Sequence, residues 1–174
     1  MADNVDFESL AARFYAPLYQ FAFSLTRTEA DACDLTQQTF TIWATKGHQL
    51  RDTSKVKTWL FTTLHREFLE SRRRKTRFPH LELGAAAAEL PAVSPAAVSR
   101  LDTAQALDAL NHVDEIFQAP VALFYLQDCS YNEIAEILDV PLGTVKSRLA
   151  RGIGQLQQML SRDIAVGQNP QPPN

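Results

Sequence analysis

A chain of 174 residues with 45% hydrophobic residues is long enough for one domain or two small ones, each with a thin core. No run of about 18 apolar residues occurs, which excludes a membrane-spanning helix, and the opening MADNVDFESL has acids and no apolar segment, so a cytoplasmic protein without a secretory signal is expected. The net charge of −3 is unevenly spread: residues 51–78 hold 9 bases and 3 acids, residues 79–138 hold 1 base and 9 acids, and residues 139–174 hold 4 bases and 2 acids. Two separate basic stretches on an acidic body suit a polyanion touched at two points.

Almost every element reads as helix. From Phe7 to Arg27, Phe7, Leu10, Ala11, Phe14, Leu18, Phe21 and Leu25 recur at helical spacing. Pro17 interrupts this stretch and is expected to kink or divide it. RTEADACDLTQQTFTIWATKG starts a second helix, with Leu35, Ile42 and Trp43 on one face and Gly47 as its stop. HQLRDTSKVK is a polar connector. TWLFTTLHREFLESRRRKTR is a third helix, with Trp59, Leu60, Thr63, Leu64 and Phe68 inside and a basic tail that also suits the C-terminal end of the helix dipole.

Composition then changes. Residues 78–99, FPHLELGAAAAELPAVSPAAVS, hold three prolines and no lysine or arginine, and read as a flexible linker. In DTAQALDALNHVDEIF, Leu107, Leu110, Val113 and Phe117 form one helical stripe, and Pro120 is placed at the opening of the next helix. After about Ser161 the polar, Pro-rich tail reads as disordered. Cys33 and Cys129 lie in no CxxC motif and read as reduced thiols. His48, His65, His80 and His112 show no metal-ligand spacing, so no metal or other cofactor is expected.

SYNEIAEILDVPLGTVKSRLARG, Ser130 to Gly152, is a helix-turn-helix pattern. Ser130 and Glu133 make a capping box, and Ile134, Ala135, Ile137 and Leu138 are the apolar face of a short helix. Pro141 suits the start of a new helix, and Gly143 is expected to give room where two backbones approach. Val145, Leu149, Ile153, Leu156 and Leu160 form a buried stripe. Thr144, Ser147, Arg148 and Arg151 lie opposite, with Lys146 beside them. A helix of about 10 Å diameter fits the major groove of B-DNA, where arginine can grip guanine and lysine or serine can hold phosphates. An ordinary helical hairpin with a solvated basic face is the alternative.

The same stretch closely resembles the domain 4 helix-turn-helix of extracytoplasmic-function (ECF) sigma factors, the small group IV members of the sigma-70 family of bacterial transcription initiation subunits. DACDLTQQTF, Asp31 to Phe40, resembles the family's A-E-D-L-x-Q-E-T-F pattern in domain 2, and TWLFTTLHREFLESRRR, Thr58 to Arg74, resembles its W-L-x-x-I-A-x-N-x-x-x-D-x-x-R-R-R pattern. The resemblance covers about residues 7–77 and 103–160, in the family's order. It implies an all-α fold of two small helical domains, at residues 1–77 and 103–162, joined by a linker at 78–102 and followed by a disordered tail at 163–174.

The resemblance also implies roles. Asp34, Leu35, Gln37, Gln38 and Phe40 would dock on the clamp helices of the polymerase β′ subunit, although Leu35 and Phe40 read equally well as core. His48, Lys55, Lys57, Trp59, Arg66, Arg72, Arg73 and Arg74 would engage the −10 promoter element, cations on phosphates and Trp59 either stacked on a base or buried. Thr144, Lys146, Ser147, Arg148, Ala150 and Arg151 would face the −35 element. Core RNA polymerase, through β′ and β, promoter DNA and an anti-sigma factor are the implied partners. Cys33 stands where the family usually has Glu, Arg66 where it has Asn, Glu70 where it has Asp, and Ile153 where a second Arg often follows.

The implied function is promoter-specific transcription initiation, with no catalytic residues and no enzymatic step. A stand-alone helix-turn-helix regulator would explain residues 130–152 but neither the Asp31–Phe40 pattern nor the basic run. A helical interaction protein that binds no DNA is the other alternative. Gly152 and Gly154 are each expected to weaken their helix by about 1 kcal/mol relative to alanine.

Overall fold

The computed structural model describes residues 6–77 and 100–166. The expected linker at 78–99 and the tail from residue 167 lie outside the described residues. Among those described, every regular element is helical: α1 (Phe7–Thr26), α2 (Glu29–Lys46), two short 3-10 turns at Gly47–Gln49 and Thr53–Lys55, α3 (Val56–Arg77), α4 (Arg100–Asn111), α5 (Glu115–Gln127), α6 (Tyr131–Leu138) and α7 (Leu142–Val166). The all-α expectation holds. Helix α7 continues past Arg162 to Val166, beyond the expected start of the tail, and α4 begins at Arg100, inside the expected linker.

Local chemistry sets the helix ends. The Asp6 carboxylate accepts from the Ser9 amide at 3.2 Å and caps α1. Arg27 ends that helix in the left-handed region, φ 64, and donates its amide to the Phe23 carbonyl at 2.9 Å. Thr28 then opens α2 by accepting from the Asp31 amide. Pro17 neither divides nor ends α1, which runs unbroken through it. Gly47 is the residue at which α2 stops, as expected, but it caps the helix in the right-handed region, φ −58, and not the left-handed one. Its need is steric: a Cβ there would lie 2.6 Å from the Trp43 ring.

Pro120 does not open a helix. It lies inside α5, which starts five residues earlier because Val113 and Asp114 break the stripe into two helices. The break is fixed from α7. The Gln155 amide group donates to the Asp114 carboxylate at 2.7 Å and accepts from the Asp114 backbone N–H at 2.9 Å. Gln118 Nε2 donates to the Val113 carbonyl at 2.8 Å, which satisfies a buried side chain at the same corner.

The two halves of the chain share one core. Leu10, Leu18, Phe21, Leu60, Phe61 and Leu64 from α1 and α3 are continuous with Val121, Leu123, Ile134, Val145 and Leu149 from α5–α7. Phe21 and Phe61 meet with ring centroids 5.5 Å apart. Burying each such side chain contributes about 1.5–3 kcal/mol. Between the halves, α1 packs on α4 and α5, and α3 packs on α6.

Candidate nucleic-acid interface

The capping box is formed: the Ser130 amide donates to the Glu133 carboxylate at 2.7 Å, and the Glu133 amide donates to the Ser130 hydroxyl at 3.2 Å. The bond from the Ser130 amide holds the Glu133 carboxyl below the usual range, with Lys57 and Lys55 adding to the effect. Asp139, at φ 53, turns the chain, and its amide reaches back to Ala135. Gly143 has nothing within 4 Å of a notional Cβ, so the close backbone approach expected there does not occur.

On α7, Val145 and Leu149 are buried, while Lys146, Ser147, Ala150 and Arg151 are exposed on the other side and Thr144 is half-buried. The spacing 146, 147, 150, 151 places these four on one helical face. Arg148 departs from it. It is half-buried and turns to a cleft of about 460 Å³ that Leu25, His65, Phe68, Arg72 and Glu115 also line. Ile153 packs against the core, so the helix gains apolar packing at the position where the family often carries a second arginine.

Burial and the positive charge of Arg148 push the His65 imidazole down to about 4 from its ordinary 6.5. The Arg72–Glu115 ion pair lines the same cleft. A histidine held neutral by packing contributes stability that is fully present above its ordinary value and is lost as pH falls from about 6.5 toward 4. Melting temperature is therefore expected to fall across that window, and His65→Gln to flatten the fall. Thermal melts at stepped pH test this; identical pH profiles for the two proteins would refute it. Glu133, with its lowered value, contributes its loss only at more acid pH.

Along α3, Trp59 is half-buried and packs edge-on against Trp43 at 5.0 Å, so its ring serves the core. His48 is exposed on the first 3-10 turn, and Arg66, Arg73 and Arg74 are exposed on α3. Three further cations reach the other half of the chain. Lys55 pairs with Glu136 at 3.4 Å, Lys57 donates to the Gln127 carbonyl at 2.6 Å, and Arg72 pairs with Glu115. Nothing in the sequence pattern pointed to Gln127, Glu136 or Glu115 as their partners.

On α2, Asp34, Gln37 and Gln38 are exposed, but Leu35 and Phe40 are buried, at 8% and 7% exposure. Phe40 lies under Phe7, edge-on at 6.1 Å, and Tyr15, stacked at 6.2 Å. Of the two readings left open for these residues, the structure places both in the core, bracing the exposed face from beneath. Asp34, Leu35 and Gln38 face Glu67, Glu70, Ser71 and Arg74 of α3 across a cleft of about 300 Å³. Glu67, Glu70 and Ser71 carry no docking pattern of their own in the sequence, and only the packing of α3 beside α2 brings them to this face.

Among the described residues no group of His, Cys, Asp and Glu could hold a metal ion, and no helix is long and apolar enough to cross a membrane. The sigma-70 region 2 family model matches residues 10–78 and the sigma-70 region 4 model matches residues 103–156. The chain is 30% identical over 151 residues to the ECF RNA polymerase sigma factor SigL of Mycobacterium tuberculosis, covering 83% of each protein. It is 35% identical over 150 residues to the ECF RNA polymerase sigma factor SigE of Mycolicibacterium smegmatis, covering 83% of this chain and 58% of that relative's length. The solved structure of the sigma factor RpoE in complex with the anti-sigma factor NepR, from Bartonella quintana, matches with a TM-score of 0.71 at 30% identity, covering 90% of this chain and 97% of that one. The chain belongs to the extracytoplasmic-function sigma factors of the sigma-70 family.

Proposed function

We propose that this chain is a cytoplasmic, dissociable subunit that binds core RNA polymerase and directs it to promoters through two DNA contacts. The α2 face of Asp34, Gln37 and Gln38, braced by Leu35 and Phe40, docks on the β′ clamp helices. The α3 cations and His48 hold the −10 element, and Lys146, Ser147, Ala150 and Arg151 read the −35 element, with Thr144 and Arg148 flanking. The subunit carries out no chemical step of its own. The observation that carries this reading is one helix face on α7, four residues wide and exposed, in the same chain as a second cationic helix. The complex of RpoE with NepR supports an anti-sigma partner here as well.

Run-off transcription with core polymerase on genomic templates tests it: promoter-specific transcripts are expected, and none on any template would refute it. Arg151→Ala is expected to weaken use of the −35 element by roughly 10- to 100-fold, as for removal of one base-edge arginine, while core-polymerase binding is unchanged. Loss of core binding in that variant would overturn the assignment of α7 to DNA.

A further inference from the structure

We infer that Arg66 sets the base choice at one position of the −10 element: beside the free hydroxyls of Thr62 and Thr63, its guanidinium grips one unstacked guanine of the opened strand and rejects the other three bases. The inference rests on the assignment of α3 to the −10 element and names the base that this helix reads.

Arg66 stands apart from the cations that follow it on α3. Arg72 pairs with Glu115, Arg73 and Arg74 with Glu70, and Lys75 with Asp31. Arg66 is exposed and, among the described residues, forms no ion pair. The acid one turn further along, Glu70, is engaged by Arg73 and Arg74. A row of cations that pair with carboxylates suits a row of phosphates, whereas a single guanidinium among neutral groups suits a base edge. The neutral groups are at hand. Trp59, Thr62, Thr63 and Arg66 follow the spacing i, i+3, i+4, i+7 and share one face of α3. Thr62 and Thr63 are half-buried and form a floor beside the exposed Arg66. Thr36, Thr39, Thr41, Thr45 and Thr76 all turn their hydroxyls to carbonyls of their own helix. Thr62 and Thr63 make no such bond among the described residues, so their hydroxyls are open to a ligand. Trp59, held edge-on against Trp43, bounds the patch at its other end. From Trp59 to Arg66 is seven residues, about 10 Å of helix, which is enough for one base out of its stack.

The guanidinium decides which base. It donates through a rigid fork and accepts nothing. Guanine presents two acceptors side by side, O6 and N7. Adenine and cytosine place an amino donor on the same edge, and thymine sets one acceptor beside a methyl group. Only guanine satisfies both prongs of the fork. The asparagine usual at this position in the family carries a donor and an acceptor, so it fits a different set of edges. The departure at Arg66 is therefore a change of base choice for this chain.

Transcription by core polymerase loaded with the full-length chain tests this, on a template library randomised through the −10 region, with the products sequenced. The natural chain is expected to favour guanine at one −10 position by roughly 10- to 100-fold over each other base, the scale of one bidentate arginine contact. Arg66→Ala should abolish the preference at that position and leave the other positions as they were. Arg66→Lys keeps the charge but loses the fork, and should lose most of the same preference. Thr62→Val, which keeps the shape and removes a hydroxyl, should weaken it at the same position. If Arg66→Ala instead lowers use of all sequences alike and the salt slope falls by about 0.7, Arg66 holds a phosphate and the guanine assignment is refuted. A −10 preference that is the same with and without Arg66 refutes it too. A natural chain that yields no promoter-specific product on any template would overturn the reading as a sigma factor, and this inference with it, whereas specific products with a preference indifferent to Arg66 overturn this inference alone.

Discussion

Arg72, Arg73 and Arg74 replaced together by alanine are expected to lower promoter binding by the polymerase-bound protein roughly 100-fold near 0.1 M salt. The slope of log affinity against log salt should fall by about 2 to 3. One cation withdrawn from a phosphate lowers that slope by about 0.7 on a single strand and about 0.9 on a duplex, and three such cations give the total. The run is free to act in this way. Arg73 and Arg74 side chains are 74% and 76% exposed and, among the described residues, form ion pairs with Glu70 alone, at 3.9 and 3.5 Å. Such surface pairs contribute little to folding, so the melting temperature should move by no more than a few degrees. Arg72 differs, because it pairs with Glu115 and lies over the Phe68 ring at 5.8 Å. Its single alanine variant should therefore weaken binding less in the free chain, where it is engaged, than in the polymerase complex. Salt titration of promoter binding by fluorescence anisotropy checks the slope. An unchanged slope would reduce the run to cations that merely complement the C-terminal end of α3.

How far these features were legible depends on the range of the interaction behind them. The capping box, the turn at Asp139 and the Val145–Leu149 stripe arise from contacts within a few residues, and periodicity carries them directly. Leu35 and Phe40 illustrate the limit within one helix. Both are apolar residues in a stretch with a docking pattern, and only the position of Phe7 and Tyr15 on α1 decides that Phe40 is covered. Pro120 was misplaced because proline is usual at a helix start, whereas here a buried α5 extends through it. The partners of Lys55, Lys57 and Arg72 had no local signature at all. Lys57 and Gln127 are 70 residues apart, and Lys55 and Glu136 are 81 apart. Charge segregation was the one trace of that contact in the sequence, and it reads equally well as attraction to nucleic acid.

The two glycines of α7 make the same point with a sign attached. Sequence alone gives both the same weakness for helix, about 1 kcal/mol against alanine. The structure separates them. A Cβ at Gly152 would lie 2.5 Å from Val121 Cγ2 and 3.0 Å from Phe117 Cβ, while a Cβ at Gly154 meets nothing within 4 Å. Val121 is fully buried and β-branched, so its methyl has little room to turn away. Gly154→Ala is therefore expected to stabilise the protein by up to about 1 kcal/mol. Gly152→Ala should destabilise it by about 1 to 3 kcal/mol, the usual cost of overpacking, despite the better helix propensity. The shifts should be a rise of about 2 to 4 °C and a fall of several degrees in melting temperature. Gly152 also sets how closely α7 lies on α5, and Arg151, its neighbour, is on the face assigned to the −35 element. Prising the helices apart should thus weaken −35 recognition in Gly152→Ala and leave it intact in Gly154→Ala. Paired thermal melts and −35-dependent transcription measure both effects. If the two substitutions raise stability alike, α5 and α7 do not meet at Gly152 as closely as the structure places them.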